Sequence, residues 1–408
     1  MRLAYFSPLA PKRTGIATYS AHLGRALADL ADLDFFDPPP SLSPLPGRPV
    51  LDYIARPELL LGLERYDGVL YHLGNNPHYH LDIYRALLQA PGVVVLHDTV
   101  LYYLIAGLSR GGMLREFGYN YGAARLDEFF AIERDSPDGN VLRYRQPERY
   151  PFLARILATA TAVIVHSETS AQLVRAAGAP RGVHVVPLLA YPSLPVEPGE
   201  RARIRAEFGI ADDTLLLGCF GFIGATKRMG ALLAGLARLR STRKCALLVV
   251  GEGESLARDI AAHGVGDCVI HPGFVDDERF DLLLRNIDVL VNLRYPSMGE
   301  TSATLIQAMA RAIPAVVSDH AWFAELPDEV VWKIGAGRTE VDELVAALDT
   351  LAGDSARCTA IAAAARRYVQ ARCAPAVVAT QYINILAALR RLRAPRLALD
   401  RRTRPVIC

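Results

Sequence analysis

RYPSMGETSATLIQAMARAIPAVVSD, residues 294–319, follows directly on the apolar run IDVLVNL and decides how the chain folds. After a strand-like run comes a polar turn with one glycine, Ser297-Met298-Gly299-Glu300, and then Thr301 and Ser302, hydroxyl residues suited to cap a helix. Leu305, Ala308, Met309 and Ala312 recur at i, i+3, i+4 and i+7, which predicts a helix with one buried face. Glu300, Thr304, Gln307 and Arg311 form a polar stripe on the same helix, to be read either as a solvated face or as a ligand face. The helix must stop before Pro314, and AVVSD reads as the next buried parallel strand. A glycine turn that feeds a helix N-terminus at the carboxyl end of a parallel strand suits an anion.

Working back from this stretch, the second half repeats the same unit. TLLLGCFGF, CALLVVGEG and CVIHPGFV read as strands, with helices expected at 229–239, 255–263 and 278–286. The first half begins with a strand at Arg2–Ser7, a loop holding Thr14-Gly15, and a helix over 17–30. A strand over 68–73 leads to a loop carrying Asn75, Asn76, His78 and His80, and a buried strand over 93–96 ends in His97-Asp98. Residues 105–151 break the rhythm as an aromatic, helix-rich insertion of the kind that shapes a pocket or an interface. Then follow a helix (152–160), a strand (162–166), a helix (170–177) and the strand HVVPL. The expected organisation is an α/β domain over 1–190, a proline-rich linker over 191–200, a second α/β domain over 201–375, and a C-terminal helix with an arginine-rich tail over 376–408.

Composition narrows the classes. Hydrophobic residues at 51% and charged residues at 22% are those of an ordinary globular protein. No apolar run approaches the ~18–20 residues of a membrane span, and the N-terminus lacks the apolar core of a signal peptide. The six cysteines lie in the second half without metal-ligand spacing, which points to reduced thiols in the cytoplasm. Asp32-Leu-Asp34 has the spacing of a metal-binding pair but falls where a helix gives way to a strand, and is read as coincidence. No GxGxxG follows a strand, which argues against a dinucleotide-dependent dehydrogenase.

The motifs TGIATYS, GNNPHYH, VVVLHD, HSE, GFIGATKR, VVGEGE, HPGFV and the opening stretch run through most of the chain in the order of one family. In them the chain resembles the retaining family 4 glycosyltransferases of GT-B fold, with two Rossmann-like doubly wound domains facing across a cleft. The resemblance implies transfer of a sugar from a nucleoside-diphosphate donor, without a metal or other cofactor, to a glycan, lipid-linked or small-molecule acceptor, and no nucleic-acid partner. It assigns His97, Lys227 and Glu300 to catalysis. It assigns Gly15, Gly221, Lys227, Arg228, Val275, Arg294, Gly299, Glu300, Thr301, Ser302 and Gln307 to the donor, and Asn75, Asn76, Asp98 and Tyr102 to the acceptor side. Lys227 would face the diphosphate, where negative charge grows as the glycosidic bond breaks. The chain departs from the family pattern in three places. Phe222 stands where the family has an arginine, leaving Arg228 or, at the strand tip, Arg294 to supply the second charge. Gln307 replaces the family's second glutamate, and its first falls on Gly299 with Glu300 one residue later. Another GT-B enzyme, an epimerase or inverting transferase, and a silent nucleotide-sugar-binding protein are the alternatives. The aromatic stretch 102–130 and the arginine tail (Arg390, Arg391, Arg393, Arg396, Arg401, Arg402, Arg404) read first as ordinary surface and second as weak, salt-sensitive handles on the inner face of a membrane.

Overall fold

The computed structural model describes residues 1–179 and 182–400, with side chains described up to residue 391. They form two compact units: Met1–Leu189 with Met298–Glu300 and the helix that begins at Pro375, and Ala190–Ser297 with Thr301–Ala374.

The first unit is built on strands β1 (Arg2–Phe6), β2 (Asp32–Phe36), β3 (Val50–Leu51), β4 (Gly68–Leu73), β5 (Val93–Leu96), β6 (Ala162–Val165) and β7 (Val183–Val185). They hydrogen-bond in parallel in the order β3-β2-β1-β4-β5-β6-β7. The runs VVVL and AVIV are apolar throughout because helices cover both faces of such a sheet. Asp32 and Asp34 sit at the start of β2, the edge of the sheet away from the carboxyl tips, where they pair with Arg48 and Arg2.

His78 and His80 belong not to a loop but to the helix Pro77–Gln89, which Asn76 caps by accepting from His78 N–H at 3.0 Å. The insertion is helical as expected, with helices at Tyr102–Ala106, Arg110–Tyr121 and Leu126–Asp135. Its aromatic rings face inward: Tyr102, Phe117, Phe129 and Phe152 are buried in the core of this unit. That removes the aromatic membrane face read from the sequence, leaving Tyr119 and Phe130 as its exposed rings.

The helix Pro375–Asp400 returns to the first unit and lies against the helix Gly15–Ala28. It buries Val378, Ala379, Tyr382 and Leu386, and Tyr382 and Tyr19 share a hydroxyl–hydroxyl hydrogen bond of 3.0 Å. Arg390 pairs with Asp67 and Arg391 is exposed. The side chains of Arg393 and Arg396, and Arg401, Arg402 and Arg404 altogether, lie outside the described residues.

The second unit contains β8 (Leu215–Phe220), β9 (Cys245–Val250), β10 (Val269–Gly273), β11 (Val289–Asn292), β12 (Ala315–Ser318) and β13 (Trp332–Ile334). They pair in parallel in the order β10-β9-β8-β11-β12-β13. Helices at Met229–Leu239, Leu256–His263, Asp277–Leu284 and Ala303–Ala310 connect them. In both sheets the chain winds outward one way, then the other, from a central pair: β1 and β4 in the first unit, β8 and β11 in the second. Connections leave such a pair in opposite directions and open a crevice at its carboxyl tips, where this architecture binds ligands.

Candidate active site

At the β8/β11 tips of the second unit the sequence sets a glycine turn beside two cations. Gly221 follows β8 with φ +87°, a left-handed conformation that favours glycine. Its carbonyl packs against Gly251, φ +131°, where a Cβ would come within 2.4 Å of that oxygen, so neither turn has room for bulk. Lys227 ends the short turn Ala225–Lys227 and is only 5% exposed. Its ammonium donates to the Phe220 carbonyl and lies 3.3 Å from where a Cβ of Gly221 would be. Burial, reinforced by the neighbouring Arg294 cation, brings its pKa down to about 8. Among the described residues Lys227 forms no ion pair. A buried cation without a carboxylate partner is costly unless an anion arrives to meet it.

Arg294 follows the β11 tip, and its backbone N–H is fixed by Ser318 Oγ at 2.9 Å. Arg228 is committed elsewhere: it is bound to the buried Glu340, which the sequence reading missed together with its helix Glu340–Gly353. Ser302 caps the helix Ala303–Ala310, accepting from Leu305 N–H at 3.1 Å and from Asn292 Nδ2 at 2.6 Å. Thr304, one turn on and absent from the expected donor set, brings Oγ1 to 3.8 Å from the Gly221 Cβ position. Val275 is half-buried just beyond β10, and Phe222, in the place of the family arginine, is 74% exposed.

The far half of the polar stripe, Gln307 and Arg311, proves to be neither a solvated face nor a ligand face. Gln307 is 2% exposed, and its Oε1 accepts from Tyr191 N–H at 2.7 Å. This corrects its expected contact with a ribose, because the oxygen already holds the chain where it enters the second unit. Arg311 turns inward onto Asp281, which also binds Arg285, and Arg285 in turn grips Glu200. Arg285 also donates to the carbonyls of Leu194 and Pro195 at 3.0 and 3.3 Å, so the proline-rich linker is strapped to this unit. The Arg285 guanidinium holds Glu200 down to about 2.

Gly299 and Glu300 were expected to act with Thr301 and Ser302 as one turn. Instead Met298–Glu300 pack with the first unit and Thr301 onward with the second. The Met298 carbonyl accepts from Thr99 and Val100 N–H at 3.0 and 2.9 Å, and that of Gly299 from Ser170 Oγ at 2.8 Å. Gly299 has φ +78°, and a Cβ there would lie 1.7 Å from Thr99 Oγ1. The Glu300 carboxylate accepts from Met298 N–H at 2.6 Å.

In the first unit, parallel strands deliver His72 (β4), His97 (after β5) and His166 (after β6) to one row of carboxyl tips, with His80 behind them. His72 Nδ1 lies 3.0 Å from His97 Nε2. Burial lowers all four imidazoles, His80 and His166 to about 4 and the other two well below the ordinary value. Of the four, His97 was assigned a role from the sequence and His80 was named as a loop residue; the signal for His72 was one polar residue inside the apolar strand GVLYHL.

The expected acceptor groups are largely occupied. Asn75 Oδ1 accepts from Tyr103 and Leu104 N–H at 2.8 and 3.2 Å, and Asp98 accepts from Asn75 N–H at 2.8 Å. Tyr102 is fully buried with its hydroxyl on the Val141 carbonyl at 2.9 Å, which corrects its assignment to the acceptor side. Gly15 lies in the first turn of its helix, and a Cβ there would point into open space.

Residues 214–354 match the family model described as glycosyl transferases group 1. No curated protein sequence matches the chain. Among solved structures, Anabaena HepE in complex with UDP and glucose is similar at 17% identity and a TM-score of 0.66, over 95% of this chain and 100% of that one. Sucrose-phosphate synthase from Thermosynechococcus elongatus is similar at 18% identity and a TM-score of 0.65, over 95% and 99%. WaaG, a glycosyltransferase of lipopolysaccharide biosynthesis, is similar at 16% identity and a TM-score of 0.61, over 94% and 99%. The fold is therefore GT-B, and the second unit carries the sequence of a glycosyltransferase domain. By class the chain is a glycosyltransferase.

Proposed function

We propose that the protein transfers a sugar, with retention, from a nucleoside-diphosphate donor to a glycan or lipid-linked acceptor. The observation that carries this reading is Lys227, a buried ammonium at the β8/β11 switch point with no ion-pair partner among the described residues. Its positive charge, with Arg294 beside it, meets the diphosphate as the sugar C1–O bond breaks and the electron pair leaves with the phosphate. The acceptor hydroxyl attacks the face that the diphosphate vacates, and its proton passes to the departing phosphate oxygen. Gly221 and Thr304 leave close access to this cation for a phosphate, and Val275 borders the nucleotide. Gly15, where the fold itself needs no glycine, leaves room for a ligand at the start of its own helix. His97 faces the sugar as a neutral hydrogen-bonding ring. Because Lys227 supplies the charge, the reaction needs no divalent metal and survives EDTA.

The structural neighbours support the donor class, since HepE was solved with UDP and glucose. Among the described residues no helix is long and apolar enough to cross a membrane. A thermal-shift panel of UDP-, GDP- and ADP-sugars tests the reading, because a ligand bound only by the native state raises its melting temperature. One base class should raise it, and Lys227→Ala should abolish the rise. A chain stabilised by no sugar nucleotide would refute the proposal. One that binds a donor but neither transfers nor hydrolyses it would be a silent binding protein instead.

A further inference from the structure

The histidine row in the first unit contains one hydrogen bond whose direction has consequences. Two of its members have their protons fixed by carbonyl partners, which only accept. His166 Nδ1 lies 2.8 Å from the Val186 carbonyl and His80 Nδ1 lies 3.2 Å from the His72 carbonyl, so each neutral ring carries its proton on Nδ1. Between His72 Nδ1 and His97 Nε2, 3.0 Å apart, either ring could donate. If His97 donated, neutral His72 would carry its proton on Nε2. That atom is buried and without a hydrogen-bond partner, and the ring is stacked on Tyr5 at 4.5 Å. A buried N–H with no acceptor is the rarer and costlier defect, and an unmet lone pair is the milder one. The lower-cost arrangement therefore has His72 Nδ1–H donating to His97 Nε2.

We propose that His72 is a positioning residue that fixes the ring of His97 in its Nδ1–H tautomer, presenting one N–H donor of set direction to a sugar hydroxyl. The nitrogen that a histidine offers is set by the bond its other nitrogen makes. Tyr19, edge-on to His97 at 5.0 Å, and His166 at 4.9 Å pack the ring from other sides, so the His72 bond acts on a ring with little room to turn. The role of the donor rests on the sugar-facing assignment of His97 above; the tautomer does not.

Full-length protein labelled with [15N]histidine provides the test, with the His97 signals assigned by their loss in His97→Asn. Two-bond proton–nitrogen spectra at neutral pH should show His97 protonated at Nδ1 with Nε2 as acceptor. His72→Phe keeps the stack on Tyr5 but removes the nitrogen, and should release His97 into a tautomer mixture. With the donor found in the thermal-shift panel, kcat should fall about 10–100-fold, by analogy with losing the outer partner of a metal-bound histidine, with KM little changed. His72→Asn, whose Nδ2–H can take the place of the ring Nδ1–H, should restore both readouts in part. An Nε2–H tautomer in the unaltered protein, or an unchanged His97 spectrum in His72→Phe, would overturn the proposal. A shifted tautomer with unchanged kcat would uphold the positioning role and remove His97 from the reaction.

Discussion

The two sheets share a winding plan yet prepare their central carboxyl tips in opposite ways. The second unit buries a cation, Lys227, beside Gly221 and leaves it with no ion-pair partner among the described residues. The first unit sets neutral rings at its tips, buried His72 and His166 and part-buried His97, and its carboxylate Asp98 takes up the Asn75 N–H. One architecture thus serves either charge or direction. A diphosphate needs compensation of charge, whereas a sugar hydroxyl needs a donor pointing one way.

The largest expected effect breaks the charged side. Lys227→Ala should cut turnover by roughly 10²–10³, the scale of removing one transition-state stabiliser, while the melting temperature of the ligand-free protein holds or rises. Steady-state rates beside thermal melts decide this, and unchanged turnover would end the role of Lys227.

Acid should strike the neutral side instead. His80 and His166 have folded pKa values of about 4, below the 6.5 of an ordinary histidine. The unfolded chain therefore binds more protons between these values, and stability that is complete above pH 6.5 is lost as pH falls toward 4. Each ring should cost about 2 kcal/mol between pH 7 and pH 5. Denaturant melts of wild type and His166→Phe should diverge over that range, the variant losing less. A parallel decline would assign acid sensitivity elsewhere.

A third effect sharpens the contrast from the alkaline side. Lys227, with a pKa of about 8, loses its charge as pH rises through that value. The kcat/KM for donor should then fall above pH 8 by about tenfold per unit, and Lys227→Arg should move that limb upward.

Legibility divided along the same line. Strand tips and glycine turns could be read because local pattern dictates them: IDVLVNL, VVVL and the turns after Phe220 and Asn292 fall where expected. The polar stripe could not. Gln307 and Arg311 have helical spacing whether they meet water or a buried partner, and only the fold reveals Tyr191 and Asp281 beneath them. Tyr102 misled for the converse reason, since an insertion rich in aromatic residues can spend them on its own core. The short strands β3 and β13 carry too few residues for a periodic signal.

This suggests the next test. Gln307→Glu should be tolerated, since a carboxylate still accepts from Tyr191 N–H and faces Arg311, whereas Gln307→Ala leaves a buried N–H unmet at a cost of about 1–3 kcal/mol. Chemical denaturation separates the two, and equal stability would mean the strap holds without Gln307. The smallest effect belongs to Asp32→Asn with Asp34→Asn. The exposed pairs with Arg48 and Arg2 should leave the melting temperature little changed, and transfer rates with and without Mn²⁺ should match those of the wild type.

The return of the helix Pro375–Asp400 to the first unit bears on the order in which the protein is made. A ribosome finishes the strands of the first unit early, but the element that covers Tyr19 and the nearby apolar side chains emerges last. At ~5–20 residues per second, the nascent first unit waits on the order of tens of seconds while the second unit is synthesised and can close. Throughout that interval the apolar side chains that this helix covers stay open to solvent. The unit that begins first is completed last, and it is the one for which a chaperone has most to hold.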